Sequence, residues 1–161
     1  MVANHQGPWE SLFLQTLYLP TSSILKKEIL IIPFFGWAIS RLRPISINRK
    51  LKLESLKKVI EIGGQRIQSG FTVLVFPEGT RRAPNSGIGK FGNSCGVLAS
   101  NELVPIIPVC HNSGKYWMNR SFKKRSGEIQ VVIGEPIWGS DPKSLTNEAR
   151  RWINKTYSEI D

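Results

Sequence analysis

Short apolar runs alternate along this chain with longer segments whose apolar residues have helical spacing. Residues 72–76, TVLVF, predict a buried strand, since the run is short, rich in β-branched residues and stopped by Pro77. A polar loop, residues 78–82, follows at once. Functional side chains often lie on loops that a strand holds in place, and α/β sheets bind ligands beyond the strand ends.

The remaining pattern predicts strands alternating with helices. This alternation indicates a single α/β domain over residues 1–161, with a mostly parallel sheet covered by helices on both faces. Residues 25–32 fit either a strand or the start of a helix. The other predicted strands are residues 45–47, 104–109 and 128–134, and the predicted helices are residues 8–18, 53–68, 96–101 and 145–160. Residues 33–37 predict a turn that leads into a short apolar helix ending near residue 42.

An apolar run at residues 29–39 raises the question of a membrane segment. It is shorter than the roughly 20 residues needed to span a bilayer and is interrupted by Pro33 and Gly36, so no spanning helix is predicted. Burial in the core is favoured for this run over a membrane interface, although Trp37 followed by Arg41 suits an interface.

The net charge of the chain limits the kinds of molecule that it is expected to bind. The chain of 161 residues has a formal charge of +10, which implies an anionic partner: nucleic acid, a phosphorylated substrate or an anionic membrane surface. No nucleic-acid-binding motif is present, and aromatic residues are not interleaved with the basic pairs, so nucleic acid is not expected. No metal site is expected either, because HExxH is absent and the chain has two histidines.

The start of the chain offers a candidate general base. With Gly7 as the N-cap and Pro8 as the first helical residue, Glu10 is the third helical residue and leans back over the helix start towards His5. A carboxylate that holds a histidine fixes its tautomer and stabilises the imidazolium. The alternative is that Glu10 only caps the helix and that His5 is an ordinary turn residue.

The loop after the strand offers a candidate anion site. Gly79 lets the backbone approach a ligand, Arg81 presents a planar guanidinium suited to phosphate, and Glu78 is placed to hold that guanidinium. The alternative is a plain turn with a surface ion pair.

Four blocks in this order carry a family resemblance: His5-x4-Glu10, and residues 47–49 (INR), 76–81 (FPEGTR) and 104–109 (VPIIPV). The chain resembles the lysophosphatidic acid acyltransferases (1-acylglycerol-3-phosphate acyltransferases). The resemblance implies a glycerol-3-phosphate acyltransferase-like fold and transfer of an acyl group to the sn-2 hydroxyl of 1-acylglycerol 3-phosphate, giving phosphatidic acid. It implies no cofactor beyond the co-substrate, which is acyl-CoA or acyl-carrier protein.

The resemblance also implies roles for individual residues. His5 would be the general base and Glu10 would orient it, while residues 104–109 would shape the apolar side of the pocket. The acceptor phosphate would be held by Arg49, Glu78, Gly79, Thr80 and Arg81, with Lys90 in place of a lysine that usually follows the loop. The family usually has Asp at the position of Glu10 and at that of Asn48.

Family members usually carry an N-terminal membrane anchor and a strand leading to the histidine, whereas three residues precede Asn4 here. Either the start is truncated or misassigned, or this version lacks the anchor helices and docks peripherally on the cytoplasmic face of an anionic membrane. A missing strand would leave an exposed sheet edge near His5. An acyltransferase with another acceptor and a truncated, inactive lipid-binding remnant are the alternative functions.

Overall fold

The computed structural model describes residues 1–48 and 50–160, except for the side chain of Lys52. Its helices are α1 (Trp9–Phe13), α2 (Phe35–Ser40), α3 (Lys52–Gln68), α4 (Ser94–Glu102) and α5 (Pro142–Ile160). Its strands are β1 (Val2–Ala3), β2 (Thr21–Lys26), β3 (Ile45–Ile47), β4 (Thr72–Leu74), β5 (Pro108–His111) and β6 (Val131–Ile133).

The strands form one sheet in the order β3-β2-β4-β1-β5-β6. Two three-stranded groups, β3-β2-β4 and β1-β5-β6, meet at a parallel bridge between Val2 and Val75. Among the strands that the structure describes, β1–β5, β2–β3 and β2–β4 pair in parallel and β5–β6 pairs antiparallel. The predicted mostly parallel α/β sheet is therefore confirmed.

The expected sheet edge near His5 is wrong, because residues 1–3 lie in the middle of the sheet. The amide of Val2 donates to the carbonyl of Ile107 at 2.9 Å, and the amide of Ala3 donates to the carbonyl of Val75 at 3.1 Å. Strand β1 is thus paired on both sides and leads directly into Asn4 and His5. None of the described helices is both long and apolar enough to cross a membrane.

Alternate residues of the central strands supply two separate apolar clusters, as the two-residue period of a strand requires. Val73 and Val75 pack with α3, α4 and α5 on one face, whereas Leu74 packs with Met1, Ala3 and Leu14 on the other. Helix α5 lies along the first face and buries Leu145, Ala149 and Ile153. Both faces of the sheet are therefore covered.

Several strands differ from their predicted bounds: β4 ends at Leu74 and not at residue 76, and β6 covers Val131–Ile133 within the predicted residues 128–134. Strand β2 begins at Thr21, ahead of the ambiguous segment 25–32, and its buried residues include Ser22 and Ser23. Their hydroxyls are satisfied by the carbonyl of Arg43 at 2.7 Å and the side chain of Gln15 at 3.1 Å, so polar residues occupy a buried strand. Strand β5 begins four residues after the predicted start at residue 104 and includes His111.

The apolar run at residues 29–39 is not core, contrary to the favoured interpretation. Ile31, Phe34 and Trp37 are 79%, 80% and 62% exposed. The segment folds back on itself at Gly36, where an added Cβ would lie 2.3 Å from the carbonyl oxygen of Leu30. This close backbone contact buries the glycine while the large side chains face outward.

Candidate active site

His5 and Glu10 form a buried pair at the chain start. Helix α1 begins at Trp9 with Pro8 as its N-cap, so Glu10 is the second helical residue and not the third as predicted. Its carboxylate still reaches back, and Oε1 lies 3.0 Å from Nδ1 of His5. Gly7 is required between them, because a Cβ there would meet the carbonyl oxygen of Trp117 at 2.4 Å.

Glu10 is fully buried, and both of its oxygens accept hydrogen bonds. The amides of Gln6 and Gly7 donate to Oε1 at 2.6 Å each, and the hydroxyl of Ser113 donates to Oε2 at 2.8 Å. Burial by itself would raise the pKa of Glu10, but the hydrogen bond from His5, the ring of His111 and the amide of Gly7 together lower it to about 2. Glu10 is therefore ionised at neutral pH.

The orientation of His5 leaves one ring nitrogen for chemistry. The ring stacks on Phe76 with 4.2 Å between centroids, and the side chain keeps 8% of its surface exposed. Because ionised Glu10 only accepts, the tautomer of a neutral His5 that suits this contact carries its proton on Nδ1 and a lone pair on Nε2. Among residues 1–48 and 50–160, no residue forms a hydrogen bond with Nε2 of His5. Every buried side-chain nitrogen in this part of the chain has a hydrogen-bond partner, so Nε2 is not buried and reaches solvent.

A second buried histidine, His111, lies behind Glu10 and was not predicted as a site residue from the sequence. Nε2 of His111 donates to the carbonyl of Asn4 at 2.8 Å, and Nδ1 lies 3.1 Å from the hydroxyl of Ser113. Burial lowers the pKa of His111, which favours the neutral ring. The available signal was a polar group directly after a predicted strand, at the sheet edge where parallel strands bring their ends together.

The loop after β4 is attached to the backbone of His5. The amide of His5 donates to Oε1 of Glu78 at 3.0 Å, and the amide of Arg82 donates to the carbonyl of His5 at 2.9 Å. Glu78 pairs with Arg82, at 3.6 Å from Nε to Oε2, and not with Arg81 as predicted. Burial raises the pKa of Glu78 against the opposing hydrogen bonds from His5 and Gly89.

The other predicted anion-binding residues lie at the surface of this loop or beyond it. Arg81 is exposed and donates from Nη1 to the side chain of Asn119 at 3.2 Å. Thr80 and Gly79 are exposed, and Gly79 has a φ of +68°, a conformation that favours glycine. Arg49 lies outside the described residues.

A cleft of about 520 Å³ lies beside the loop after β4. Two of the predicted anion-binding residues, Glu78 and Lys90, line it. Two arginines that line it, Arg82 and Arg150, were not predicted. Arg82 adjoins Arg81 in sequence and could have been considered, whereas only the fold brings Arg150 of α5 to this place. The cleft is lined by Glu78, Arg82, Ile88, Gly89, Lys90 and Arg150.

In the part of the chain that the structure describes, the side chains do not form a metal site. There, no group of three or more His, Cys, Asp and Glu side chains is arranged to hold a metal ion. What the geometry offers instead is an oriented imidazole beside a positively charged loop, which suits activation of a hydroxyl on an anionic substrate.

Comparisons with known proteins identify the family of this chain. Residues 1–112 match the family model described as Acyltransferase. The chain is 39% identical over 165 residues to a 1-acyl-sn-glycerol-3-phosphate acyltransferase of Pseudomonas aeruginosa, covering 99% of this chain and 64% of that protein. It is 31% identical over 164 residues to a chloroplastic 1-acyl-sn-glycerol-3-phosphate acyltransferase of Brassica napus, covering 99% and 46%.

A solved structure supports the fold. The crystal structure of the 1-acyl-sn-glycerophosphate (LPA) acyltransferase PlsC from Thermotoga maritima superimposes with a TM-score of 0.82 at 25% identity, covering 98% of this chain and 64% of that one. The chain thus spans less than two thirds of the length of these relatives. Since the family model covers more than half of this chain, including His5, Glu10 and the loop after β4, the chain belongs to the acyltransferase family.

Proposed function

We propose that this chain carries the acyl-transfer site of a 1-acyl-sn-glycerol-3-phosphate acyltransferase. It moves a fatty acyl group from the thioester of acyl-CoA or acyl-carrier protein to the sn-2 hydroxyl of 1-acylglycerol 3-phosphate, giving phosphatidic acid. The observation that carries the proposal is the His5–Glu10 pair, 3.0 Å apart, with Nε2 of His5 facing solvent beside a cationic loop. The named activity of the relatives supports it.

The proposed mechanism uses His5 as the base. As the acceptor oxygen bonds to the thioester carbon, Nε2 takes the hydroxyl proton, and Glu10 stabilises the resulting imidazolium. The carbon–sulfur bond then breaks, and the proton passes from Nε2 to the departing thiolate. The thioester already carries an activated acyl group, so the reaction as proposed uses no metal or cofactor.

The acceptor phosphate is proposed to bind at the loop after β4. Glu78, Gly79, Thr80 and Arg81 form this loop, Lys90 lies at the neighbouring cleft, and Arg49 is included from the sequence alone. Anchoring the phosphate positions the hydroxyl for attack. The exposed Arg81 suits this role, since its side chain makes one hydrogen bond, to Asn119, among the described residues.

The test is an assay of purified protein with lysophosphatidic acid and acyl-CoA or acyl-carrier protein, with mass detection of phosphatidic acid. We expect transfer by the wild type and loss of transfer in His5→Ala without loss of fold, as followed by circular dichroism. Near wild-type turnover in His5→Ala would exclude the mechanism. Parallel reactions with glycerol 3-phosphate and other lysophospholipids test for another acceptor, and binding to lipid without any transfer would indicate an inactive remnant.

We further propose that the protein docks peripherally on the cytoplasmic face of an anionic membrane. The exposed apolar segment of residues 31–37 supports this, since Phe34 and Trp37 project into solvent. Basic residues flank the segment on both sides in the sequence: Lys26, Lys27, Arg41 and Arg43. Apolar side chains between basic ones match the interface of an anionic bilayer.

Vesicle sedimentation tests this docking. We expect binding to anionic vesicles that weakens with salt, and weaker binding by Phe34→Ser and Trp37→Ser. Phe122→Ser is the matched control, because Phe122 is fully exposed outside the segment. Equal binding to neutral vesicles, or equal effects of Phe34→Ser and Phe122→Ser, would contradict docking through this segment.

A further inference from the structure

We propose that the cleft between residues 86–90 and α5 binds a phosphate group of one of the two substrates, and that Arg150 is a principal contact. This inference rests on the proposed function, which it deepens by adding a residue from the last helix. The phosphate source is either the monoester of the acceptor or a phosphate of the acyl donor. Both present the same chemistry to the cleft.

Arg150 and Arg82 are held in place by the same short stretch of backbone. Nε of Arg150 donates to the carbonyl of Gly89 at 2.8 Å. Nε and Nη2 of Arg82 donate to the carbonyls of Gly87 and Ser86 at 3.2 and 3.1 Å. Both guanidiniums are therefore anchored before a ligand arrives, which reduces the ordering cost of binding.

Each anchored guanidinium keeps donors for a ligand. Both Nη atoms of Arg150 and Nη1 of Arg82 make no hydrogen bond to any residue of 1–48 or 50–160. Lys90 is exposed at the same cleft. A phosphate accepts hydrogen bonds from several such donors at once, and those bonds are charge-assisted.

The charge of the cleft favours an anion. Among the described residues that line it, Glu78 is the single carboxylate, against three cations. The oxygens of Glu78 already accept from the amides of His5 and Gly89 at 3.0 and 2.8 Å, and its side chain is 2% exposed. Glu78 therefore leaves the cleft with a net positive charge, and its volume of about 520 Å³ has room for a phosphate monoester.

Glu78 also ties the cleft to the base. One of its oxygens holds the amide of His5 and the other holds the amide of Gly89, so one side chain joins the backbone of the base to the wall of the cleft. A phosphate bound here would be fixed to the structural unit that carries His5. Arg150 lies beyond residue 112, where the match to the family model ends.

Steady-state kinetics of Arg150→Gln test the inference, with acceptor and donor concentrations varied separately. Arg151→Gln is the matched control, because Arg151 is the exposed next residue of α5 and its loss changes the net charge equally. We expect Arg150→Gln to raise the Michaelis constant of one substrate about tenfold or more, and Arg151→Gln to change neither constant appreciably. The substrate whose constant rises is the source of the phosphate.

Binding of inorganic phosphate gives a readout that is independent of turnover. We expect phosphate to raise the thermal midpoint of the wild type and of His5→Ala, but much less that of Arg150→Gln. If phosphate raises the thermal midpoint of a wild type that transfers no acyl group, the phosphate site is supported although the proposed function is wrong. If Arg150→Gln does not fold, the same titration of Lys90→Gln decides, since Lys90 is exposed.

Two results would overturn the proposal. Equal changes in Arg150→Gln and Arg151→Gln would show that only the general positive field acts. A lower thermal midpoint in Arg150→Gln, with both Michaelis constants and the phosphate shift unchanged, would show that Arg150 is a structural residue of α5.

Discussion

The two ends of the candidate site are held in different ways. At the base end, His5, Glu10, Ser113 and His111 are buried and joined through side-chain hydrogen bonds of 2.8 to 3.1 Å. At the anion end, Arg81 is exposed, and Arg82 donates hydrogen bonds to the carbonyls of Gly87 and Ser86 at the surface. The base end is thus part of the folded interior, whereas the anion end is open to solvent.

This difference predicts where each kind of substitution acts. In a buried polar network, loss of one partner leaves others unsatisfied in a low-dielectric environment, so both geometry and stability suffer. Exposed charges are screened by water and salt, and their loss affects binding of the anion more than the fold. The base end should therefore control turnover, and the anion end should control substrate affinity.

After the loss of transfer expected for His5→Ala, the next largest effect is expected for Glu10→Gln. The amide keeps the shape of the carboxylate but loses its charge, so it stabilises neither the required tautomer nor the imidazolium of His5. We expect turnover to fall on the order of 10³-fold with a small change in the Michaelis constants, as measured by steady-state kinetics. A fall of less than about tenfold would show that Glu10 only caps α1.

The same variant has a signature in acid. Because the folded-state pKa of Glu10 is lowered to about 2, its contribution to stability is present above its ordinary pKa and is lost as the pH falls towards about 2. The difference in the free energy of unfolding between the wild type and Glu10→Gln should therefore shrink over this range. Denaturant titrations at several pH values measure it, and a constant difference would contradict the assigned pKa.

Sequence reasoning reached the base end because its parts are local. His5 and Glu10 are five residues apart, and helix-start rules place the carboxylate over the histidine even though the helix begins one residue late. Ser113 lies 103 residues from Glu10, and its contact depends on β1 pairing with β5. No local pattern contains that pairing, because β1 is two residues long.

Elsewhere the hydrophobic pattern predicted burial wrongly, both for polar residues that are buried and for apolar residues that are exposed. In β2, Ser22 and Ser23 are polar and yet buried, because tertiary partners accept from their hydroxyls. In residues 31–37, Phe34 is apolar and yet exposed, because Gly36 packs against the backbone behind it. The residue type alone determines the burial of neither segment, because burial depends on contacts with residues that are distant in sequence or on the backbone folding back on itself.

A smaller effect is expected at the anion end for Arg81→Ala. A charge-assisted hydrogen bond to phosphate contributes about 1.5 to 3 kcal/mol, which corresponds to a rise of roughly ten- to a hundredfold in the Michaelis constant of the acceptor. Turnover and thermal midpoint should change little, because Arg81 is exposed. Arg151→Ala serves as the charge-matched control, and an unchanged acceptor constant would remove the phosphate role of Arg81.

The smallest kinetic effect, about tenfold, is expected for Ser113→Ala, which tests whether the network behind Glu10 takes part in positioning it. Removing the hydroxyl leaves Oε2 of Glu10 without its donor at 2.8 Å, so the carboxylate can rotate away from His5. We expect about a tenfold fall in turnover, an unchanged acceptor constant and a loss of about 1 to 3 kcal/mol in the free energy of unfolding.

A purely structural role of Ser113 would lower stability alone, so a second comparison separates the two. If Ser113 acts through Glu10, its removal should lower turnover in the wild type but hardly at all in the Glu10→Gln background, because residues of one network are not additive. The pH–rate profile should also shift in Ser113→Ala, since a less firmly held carboxylate stabilises the imidazolium of His5 less. Additive losses with an unshifted profile would place the control of turnover in the His5–Glu10 pair alone, and the buried network behind it would then serve stability.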